Sequence, residues 1–571
     1  MGMKTFRAGQ WLLALLVTFG IARTAAAIYL DEDQQISLRA RLYSQTAIRT
    51  EGSFGDTTPV VEAGRVVQQR NFFNPELDAK LASYTAWMKD MQGFLPVIAP
   101  DSFDFRLAGW GFYDGIYDYG TQQFNRQLSR VKTRFSEATS LTDVLNGNDD
   151  VLDPRDVYAH QQRVNELYLS YTKGPLFIRV GRQAISWGES DTIGILDQNN
   201  PFDITVAAPG IFEDLDEARI PLWTLRTSYA LFDSLGPFSS GFVEGYWVPG
   251  DIDNTTAIVP MQTLSPYSAP GKDPGDNPLL ARLGNPPFYF VDHVPTHSMG
   301  NSRWGVRAQT VVARDYTVSA WIYTTFPNAP VPRLVGRAYA GRFHTDPRFI
   351  LEMVHQLVPV IGVSNTFFFQ PLNGIVRMEA EYFNREPAFI PQQNLPTDLP
   401  TIICPNGPTG TGCIPKGGTV PHADFLRWEL GFDRFFFFRP INPSNSFTWV
   451  TAMVGQYNLD ETSKKDFYAG GPQKAGTSGQ NPTDFIQLQK VEVFFQSDLT
   501  TDFMHGRLSP SLLGIVNVDG AHVVQPQVLY RWTDSLFFNL SYTYLGGMLN
   551  GQTGQFRDRD QLAMRATYQL N

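Results

Sequence analysis

The chain has 571 residues, of which 13% are aromatic and 48 are glycine, and its formal net charge is −10. A slightly negative mean hydropathy excludes a bundle of apolar membrane helices, and the acidic balance excludes bulk attraction to nucleic acid. The length allows several soluble domains or one large all-β domain, and the aromatic and glycine content favours the second.

The first 27 residues have the pattern of a secretory signal. Basic residues precede an apolar run from Trp11 to Ile21, and three alanines at 25–27 follow it. An uncleaved anchor helix needs a longer run, about 20 residues. We therefore expect a signal peptide over residues 1–27 and a mature domain over residues 28–571, whose formal charge becomes −13 once three basic residues are removed.

Beyond the signal, no segment approaches the roughly 18 consecutive apolar residues of a membrane helix. The recurring pattern is instead an alternation of apolar and polar residues. Segments with this alternation cover 36–43, 103–114, 163–172, 304–312, 316–325, 374–383, 425–433, 536–544 and 560–570. Because successive strand side chains point to opposite faces, each segment predicts a strand with one apolar and one polar wall. A soluble β-sandwich shares this alternation.

Two further features favour a membrane barrel over a sandwich. Aromatic residues lie near the ends of the apolar faces, as interfacial girdles do, and about ten residues is the length of a tilted strand that crosses a bilayer. Connections are short after Thr172, Phe232, Ala313 and Trp532, but long over 189–218, 250–301, 386–422 and 461–483. We predict an all-β fold, a transmembrane antiparallel β-barrel of about 16–18 strands with long external loops, one or two short helices and a water-accessible lumen.

The alternation places charged residues on the lumen wall of this barrel. They are Glu166, Arg179, Arg377, Glu379, Glu381, Arg427, Glu429 and Asp433. Two roles are open for them. They form either an ion-pair network that keeps the barrel in shape, or opposed fixed charges that select among solutes.

Two sites with proline predict helix starts, at Asn74–Glu76 and Asp153–Arg155, because each has a capping side chain before the proline. After the first, four residues fall on one helical face, namely Leu77, Leu81, Tyr84 and Met88. Such a helix docks on the barrel or lies in a loop, or else it constricts the lumen. The order of short and long connections fails near 370–374, which indicates a strand that the alternation misses.

The strand FIRVGRQ at 177–183 ends in a charged cluster. Strict alternation puts Arg182 on the lipid side. Either Gly181 marks a bulge that turns Arg182 inward, or Arg182 lies at the level of the lipid headgroups, where its cost is small.

The motif GRQAISWGESD at 181–191, the motif NNPFD at 199–203 and the preceding strand NELYLSY resemble the signature of a bacterial family catalogued as domain of unknown function 1302. The matching positions are Gly181, Arg182, Gln183, Trp187, Gly188, Glu189, Asn200, Pro201 and Asp203, and no role is assigned to them. The resemblance implies a β-barrel in the outer membrane of a Gram-negative bacterium, similar in build to porins and to transporters of hydrophobic substrates.

The same resemblance implies partners. They are outer-membrane lipids, the barrel-insertion machinery, a lipid-carrier-like periplasmic protein and an exporter of the resistance-nodulation-division type. Outer-membrane barrels usually end on an aromatic residue that the insertion machinery reads, whereas this chain ends Tyr568-Gln569-Leu570-Asn571. That signal is weakened, because only the alternate apolar positions Tyr568 and Leu570 remain.

The remaining candidates for chemistry are few. Cys404 and Cys413 predict one disulfide-closed loop, since exported proteins keep such bonds and the loop has no histidine for a zinc site. A proline between His293 and His297 argues against a shared metal, and the acidic turn at 146–153 lacks the closing glutamate of a calcium loop. We expect no metal, no cofactor and no enzyme activity, because nucleophile-elbow, P-loop and HExxH motifs are absent. A Ser and His pair on the barrel wall would escape this test.

We therefore expect an outer-membrane channel or transporter. The resemblance implies hydrophobic cargo such as a lipid or steroid, whereas the charged lumen favours a general diffusion porin for small polar solutes. A third alternative is a structural or assembly partner with a plugged lumen, which applies if the loop over 250–300 folds inward.

Overall fold

The computed structural model describes most of the chain beyond residue 27. The described residues are 28–51, 63–91, 95–119, 134–152, 157–188, 196–205, 211–212, 214–258, 288–339, 341–394, 401–402, 418–460, 468–472, 485–518, 520–547, 557 and 559–570. The predicted signal peptide lies outside them, and so do Glu189 and the two cysteines.

Eighteen antiparallel strands form one closed barrel. They are β1 (Ile36–Arg49), β2 (Val66–Lys80), β3 (Ser102–Asp114), β4 (His160–Lys173), β5 (Leu176–Gln183), β6 (Leu222–Leu235), β7 (Phe238–Val248), β8 (Arg303–Val312), β9 (Tyr316–Thr325), β10 (Val358–Phe369), β11 (Gly374–Pro387), β12 (His422–Phe436), β13 (Phe447–Asn458), β14 (Val491–Thr501), β15 (Leu508–Asn517), β16 (His522–Arg531), β17 (Leu536–Gly546) and β18 (Gln561–Leu570). Each strand pairs with its neighbours in chain order, and β18 closes on β1 from Ala40↔Leu570 to Arg49↔Gln561. The predicted fold class and strand number are confirmed.

The outer wall of the barrel is apolar and the inner wall is polar. On β10 the outward side chains Ile361 and Val363 are 54% and 52% exposed, whereas the next residue, Ser364, points inward and is buried. Alternation along each strand produces this division, since one face meets lipid and the other meets the lumen. Closure leaves no unpaired strand edge, which a sheet in lipid requires.

Exposed aromatic side chains mark both ends of the outer wall. Trp223, Trp247 and Trp304 lie on three adjacent strands at one end, and Trp247 pairs directly with Trp304. Tyr316 and Phe435 lie at the other end. These two bands are the girdles that the sequence predicted near strand ends, and they delimit the lipid-facing height of the barrel.

The two ends of the barrel differ in their connections. One end, here the short-turn end, carries most of the brief connections, such as Gly174-Pro175, Gly236-Pro237 and 313–315, together with the start of β1 and the end of β18. The other end, the long-loop end, carries the extended connections. At the short-turn end a two-residue strand, Ile28–Tyr29, pairs with β1 just beyond the end of β18.

Segments of the long loops form a six-stranded sheet of their own, here the loop sheet. Its strands are Arg134–Ala138, Asp150–Leu152, Phe288–His293, Val331–Ala338, Arg348–Val354 and Thr401–Ile402. Tyr289, Val291 and Ile350 contribute to its separate apolar core. A further pair, Tyr468–Pro472 with Phe485–Gln487, lies in the loop between β13 and β14.

The helices of the described residues are all short. The α-helices are Leu95–Ile98, Ile116–Tyr119, Leu141–Asn146, Leu215–Ala218 and Pro391–Asn394, and the 3-10 helices are Ser83–Asp90, Met299–Asn301, Gly341–Phe343 and Gln370–Leu372. Within the described part of the chain, none of them is long and apolar enough to cross a membrane.

The helix predicted to start at Asn74–Glu76 is wrong, because these residues belong to β2. Pro75 lacks an N–H for the strand ladder, and the side chain of Asn74 compensates by donating to the carbonyl of Gly109 at 2.6 Å. Helical turns begin only at Ser83. The second predicted start falls on residues 153–156, outside the described residues. The missing strand near 370–374 is β10, which a 3-10 turn joins to β11.

Candidate functional site in the lumen

The connection between β5 and β6 folds into the barrel. Its described residues, 184–188, 196–205, 211–212 and 214–221, are here called the lumenal segment. They contact inward-facing side chains of β1, β7, β9 and β16. The expectation that 189–218 forms an external loop is therefore wrong for its described part, and much of the signature motif lies inside the lumen.

Asn200 ties the two ends of the lumenal segment together. Its Oδ1 accepts from the N–H of Ile185 at 2.7 Å, and its Nδ2 donates to the carbonyl of Ile220 at 2.9 Å. The N–H of Ile220 in turn donates to the carbonyl of Pro201. Asn200 is 1% exposed, and a buried backbone group without such a partner is costly. The residue therefore fixes the base of the inward fold.

Two further signature residues, Gln183 and Asp203, make hydrogen bonds near the base of the inward fold. The Nε2 of Gln183 donates to the carbonyl of Thr224 at 3.1 Å. Asp203 Oδ1 accepts from the N–H and hydroxyl of Thr205 at 3.1 and 2.6 Å, and the N–H of Asp203 donates to the carbonyl of Ala218. These contacts hold the segment's own turns in place.

Trp187 anchors the segment against the wall between β6 and β9. Its ring is 1% exposed, and it packs edge-on against Tyr246 at 5.0 Å between centroids and against Tyr323 at 6.4 Å. The indole Nε1 donates to Glu244, whose carboxylate also forms an ion pair with Arg226 at 2.8 Å. A buried indole needs such an acceptor.

Gly188 lies directly against the wall of β11. Its φ is +98°, and a Cβ at this position would lie 2.5 Å from Oε1 of Glu379. Only glycine adopts that backbone conformation without strain and leaves room for the carboxylate. The close approach of the backbone to the Glu379 carboxylate on the lumen wall therefore explains why position 188 is glycine.

Arg182 lies on the outer wall. The pairing of β5 runs unbroken through Gly181, so Arg182 pairs with Leu167 and with Trp223 of the outer aromatic band. No register shift turns it inward. Its place at the strand end, level with Trp223, corresponds to the headgroup alternative.

A polar cluster that the sequence did not single out holds the middle of the segment. Asp197 accepts from Ser186 at 2.6 Å and forms an ion pair with Arg219 at 3.2 Å. The hydroxyl of Tyr246 donates to Asn199 at 2.8 Å, and the hydroxyl of Tyr323 accepts from the N–H of Gln198 at 3.3 Å. Tyr246 and Tyr323 had one available signal, since each occupies an inward position on a strand of alternating pattern.

The far end of the segment crosses to the opposite wall. Glu217, in the helix Leu215–Ala218, forms an ion pair with Arg41 at 2.9 Å and accepts from the hydroxyl of Tyr43 at 2.8 Å. The carbonyl of Ile211 accepts from Gln525 of β16 at 2.8 Å. The segment is therefore fixed on both sides of the lumen and narrows it.

The charged residues predicted on β11 and β12 all lie on the inner wall of these adjacent strands. Arg377 is 3.5 Å from Glu429 and 3.0 Å from Asp433. Arg427 forms an ion pair with Glu386 at 2.7 Å, and Glu381 accepts from the indole of Trp321 at 2.8 Å. Glu379 pairs with Glu429 in the strand register and faces Gly188. These contacts form two ion-pair groups on the inner wall, one around Arg377 and one around Arg427.

Glu166 and Arg179 lie apart from that network, on β4 and β5. Glu166 accepts from Arg106, which also forms an ion pair with Asp78 at 2.9 Å. The guanidinium of Arg179 lies 4.2 Å from the ring centroid of Tyr168 and donates to Ser170 at 2.9 Å. The side chains of Arg106 and Glu166 are 20% and 22% exposed. Water therefore reaches this part of the lumen.

A cavity of about 650 Å³ lies between the lumenal segment and the wall that β16, β17, β18 and β1 form. Its wall side carries amides and hydroxyls together with Ala563 and Arg565, and its segment side carries apolar and charged residues and one serine. The lining comprises Gln45, Ala184, Ser186, Ile211, Phe212, Asp214, Leu215, Asp216, Arg219, Gln525, Gln527, Asn539, Ser541, Thr543, Gln561, Ala563 and Arg565.

The histidines considered for metal binding or catalysis lie outside the lining of this cavity. His293 lies 3.7 Å from Glu352 in the loop sheet, whereas His297 contacts the carbonyl of Asp251 at 3.2 Å. His355 has Asp292 and the hydroxyl of Thr256 at the same ring nitrogen, so it cannot relay a proton between them as a catalytic triad does. Among the described residues, no group of three or more His, Cys, Asp or Glu side chains is placed to hold a metal.

A family model described as "Protein of unknown function (DUF1302)" matches residues 8–570. The chain belongs to this family. No curated protein matches the sequence. The family has no established chemistry, so the lumenal geometry of this member provides the basis for its function.

Solved structures share the barrel architecture at low similarity. OccAB1 of Acinetobacter baumannii has 9% identity and a TM-score of 0.41, covering 96% of this chain and 98% of its own. OpdK of Pseudomonas aeruginosa, solved with vanillate, has 8% identity and a TM-score of 0.39, covering 94% and 99%. Wzi of Escherichia coli, a carbohydrate-binding barrel involved in capsule assembly, has 9% identity and a TM-score of 0.39, covering 92% and 83%. At this level of similarity none of their properties transfers to this chain.

Proposed function

We propose that this family member is a channel in the outer membrane of a Gram-negative bacterium, in which the lumenal segment sets the width of the passage. The observation that carries the proposal is the 650 Å³ cavity between that segment and the β16–β1 wall. An 18-stranded barrel has room for an aqueous lumen, and this cavity lies beside the described part of the segment.

Polar solutes suit this passage best. The wall side is lined by side chains such as Gln525, Asn539 and Thr543, and the remaining lumen carries paired charges. A hydrophobic solute would have to displace water from these groups without replacing their hydrogen bonds, which is unfavourable. The general porin alternative therefore has more support than the hydrophobic cargo that the family resemblance implied.

Conductance in planar lipid bilayers tests the proposal. The refolded mature chain is expected to give discrete ohmic steps, and the Glu217→Ala variant, which releases the lumenal segment from β1, is expected to give larger ones. A wild-type barrel that inserts and stays silent would overturn the channel.

Passage of a lipid or steroid is the second candidate. Phe494, Ile515 and Val523 form an apolar cluster on the wall, against which Ile211 and Phe212 of the lumenal segment pack. Release of this contact would expose an apolar path. Protein-dependent transfer of a fluorescent sterol between vesicles and the barrel, absent for glucose, would favour this candidate over the polar one.

The implied partners form part of the proposal. A lipid-carrier-like periplasmic protein or an exporter of the resistance-nodulation-division type is expected to bind at the short-turn end if the cargo is hydrophobic. Co-purification from cross-linked membranes checks this, and its absence together with polar-solute flux supports a free-standing channel.

A further inference from the structure

Several uncharged hydrogen-bonding groups on the wall side of the cavity have no partner among the described residues. Gln561 is 2% exposed, yet its Oε1 has no hydrogen-bond partner among the described residues. Ser541 Oγ and Gln527 Nε2 also make no hydrogen bond to the described part of the chain, and both line the cavity. A buried amide without a partner is unfavourable, so these groups are suited to a ligand or to water that a ligand replaces.

The charges around the cavity nearly cancel. Arg565 donates to Gln45 at 2.6 Å and lies 4.2 Å from the ring centroid of Tyr43. Arg219 forms its ion pair with Asp197, and Asp214 and Asp216 add two carboxylates to the lining. An anion entering the cavity therefore meets no excess of positive charge, and a cation meets an excess of only one negative charge.

The segment side of the cavity adds an apolar surface. Ile211, Phe212 and Leu215 line the cavity next to the amides of the wall. A solute that fits both sides has hydroxyl groups for the amides and C–H faces for the apolar residues, and it has no charge. Sugars and polyols combine these properties.

We infer that this cavity binds small neutral polyhydroxylated solutes of monosaccharide size. The inference deepens the proposed channel function and rests on it. Each neutral hydrogen bond replaces one to water, so the net gain is small. Binding is accordingly weak and release fast, and a passage needs both.

Solute flux into proteoliposomes tests the selectivity. Glucose, gluconate and glucosamine have similar size and differ in charge, so their swelling rates isolate that property. Glucose is expected to enter several-fold faster than either charged solute. Equal or faster entry of gluconate or glucosamine would overturn the inference while leaving the channel intact.

A paired variant locates the selectivity. Gln561→Leu removes the buried amide and is expected to lower glucose entry and glucose block of the ion current. Gln569→Leu makes the same change on the inner face of the same strand, outside the cavity lining, and is expected to behave as wild type. If both variants respond equally, the cavity is not the site.

A binding readout separates this inference from the channel. Saturation-transfer NMR with glucose on the detergent-solubilised barrel needs no flux. A signal in wild type that Gln561→Leu loses supports the site, even if the barrel conducts no ions and the proposed channel fails. No signal in wild type overturns the site, even if conductance is observed.

Discussion

Single side chains decide how the signature motif is built. Trp187, Gly188 and Asn200 each make a contact that a different residue type would lose, namely an indole hydrogen bond, a close backbone approach and a bridge between two backbone groups. These three contacts hold the described part of the motif along its path through the lumen.

Gly188→Ala is expected to destabilise the fold by about 1–3 kcal/mol, because alanine is strained at φ +98° and its Cβ would meet the Glu379 carboxylate. Chemical denaturation in lipid vesicles measures the loss. Gly514→Ala on β15 is the control, since a Cβ there meets nothing within 4 Å. Equal stability of the two variants would contradict the role assigned to Gly188.

Asp560, just before β18, predicts a pH effect. Burial, with the neighbouring carboxyl group of Glu51, raises the pKa of Asp560 to about 7. The folded state therefore holds a proton that the unfolded state releases near pH 4, and stability is lost as the pH rises from about 4 through about 7. Asp560→Asn is expected to remove this loss, so that the variant gains on wild type at pH 8 relative to pH 5.

Thermal unfolding at the two pH values measures this difference. Asp315→Asn, in the turn before β9 and far from Glu51, serves as the control and should keep the wild-type dependence. An Asp560→Asn variant that still loses as much stability as wild type between pH 5 and pH 8 would show that another group is responsible.

At the scale of elements, the lumenal segment behaves as a strut between opposite walls. The helix Leu215–Ala218 reaches β1 through Glu217, and Ile211 reaches β16. Because few contacts attach the segment to these two walls, each attachment is expected to control the width of the passage.

Glu217→Ala should weaken the attachment to β1 by about 1–3 kcal/mol, since it removes the partner of Arg41 and Tyr43. Larger and more variable conductance steps are the expected result, together with faster protease cleavage within the segment. Asp233→Ala, which removes an exposed carboxylate of β6 outside the cavity lining, is the control. Unchanged steps in Glu217→Ala would mean that the attachment does not limit the passage.

Sequence reasoning succeeded where structure depends on neighbours along the chain. Alternation placed Arg377, Glu379 and Arg427 on the inner wall, because the direction of a strand side chain follows from its position. It could not place the lumenal segment, because the Glu217–Arg41 contact joins residues far apart in the chain. The Asn74–Glu76 prediction failed for a similar reason, since pairing between β2 and its neighbours overrode the local helix signal.

At the scale of the whole molecule, the apolar outer wall and the polar lumen depend on closure of the sheet. Met378→Arg tests the wall, because its side chain is outward and 45% exposed. A cost of about 2–4 kcal/mol is expected for arginine near the middle of the bilayer, against about 0–1 kcal/mol near its edge.

Val518→Arg, in the turn between β15 and β16, is the matched substitution at the edge. Urea titration of folding into lipid vesicles measures both variants. Similar costs at the two positions would contradict the assignment of the outer wall to lipid.

Pairing of β1 with β18 has a consequence for how the molecule is made. Arg41 and Gln569, which meet in this pairing, lie in the first and the last strand of the barrel. During synthesis β1 therefore lacks its final neighbour until β18 has been made, and a nascent or truncated chain has two strand edges with unpaired backbone N–H and C=O groups. Such edges can pair with other chains until the barrel closes.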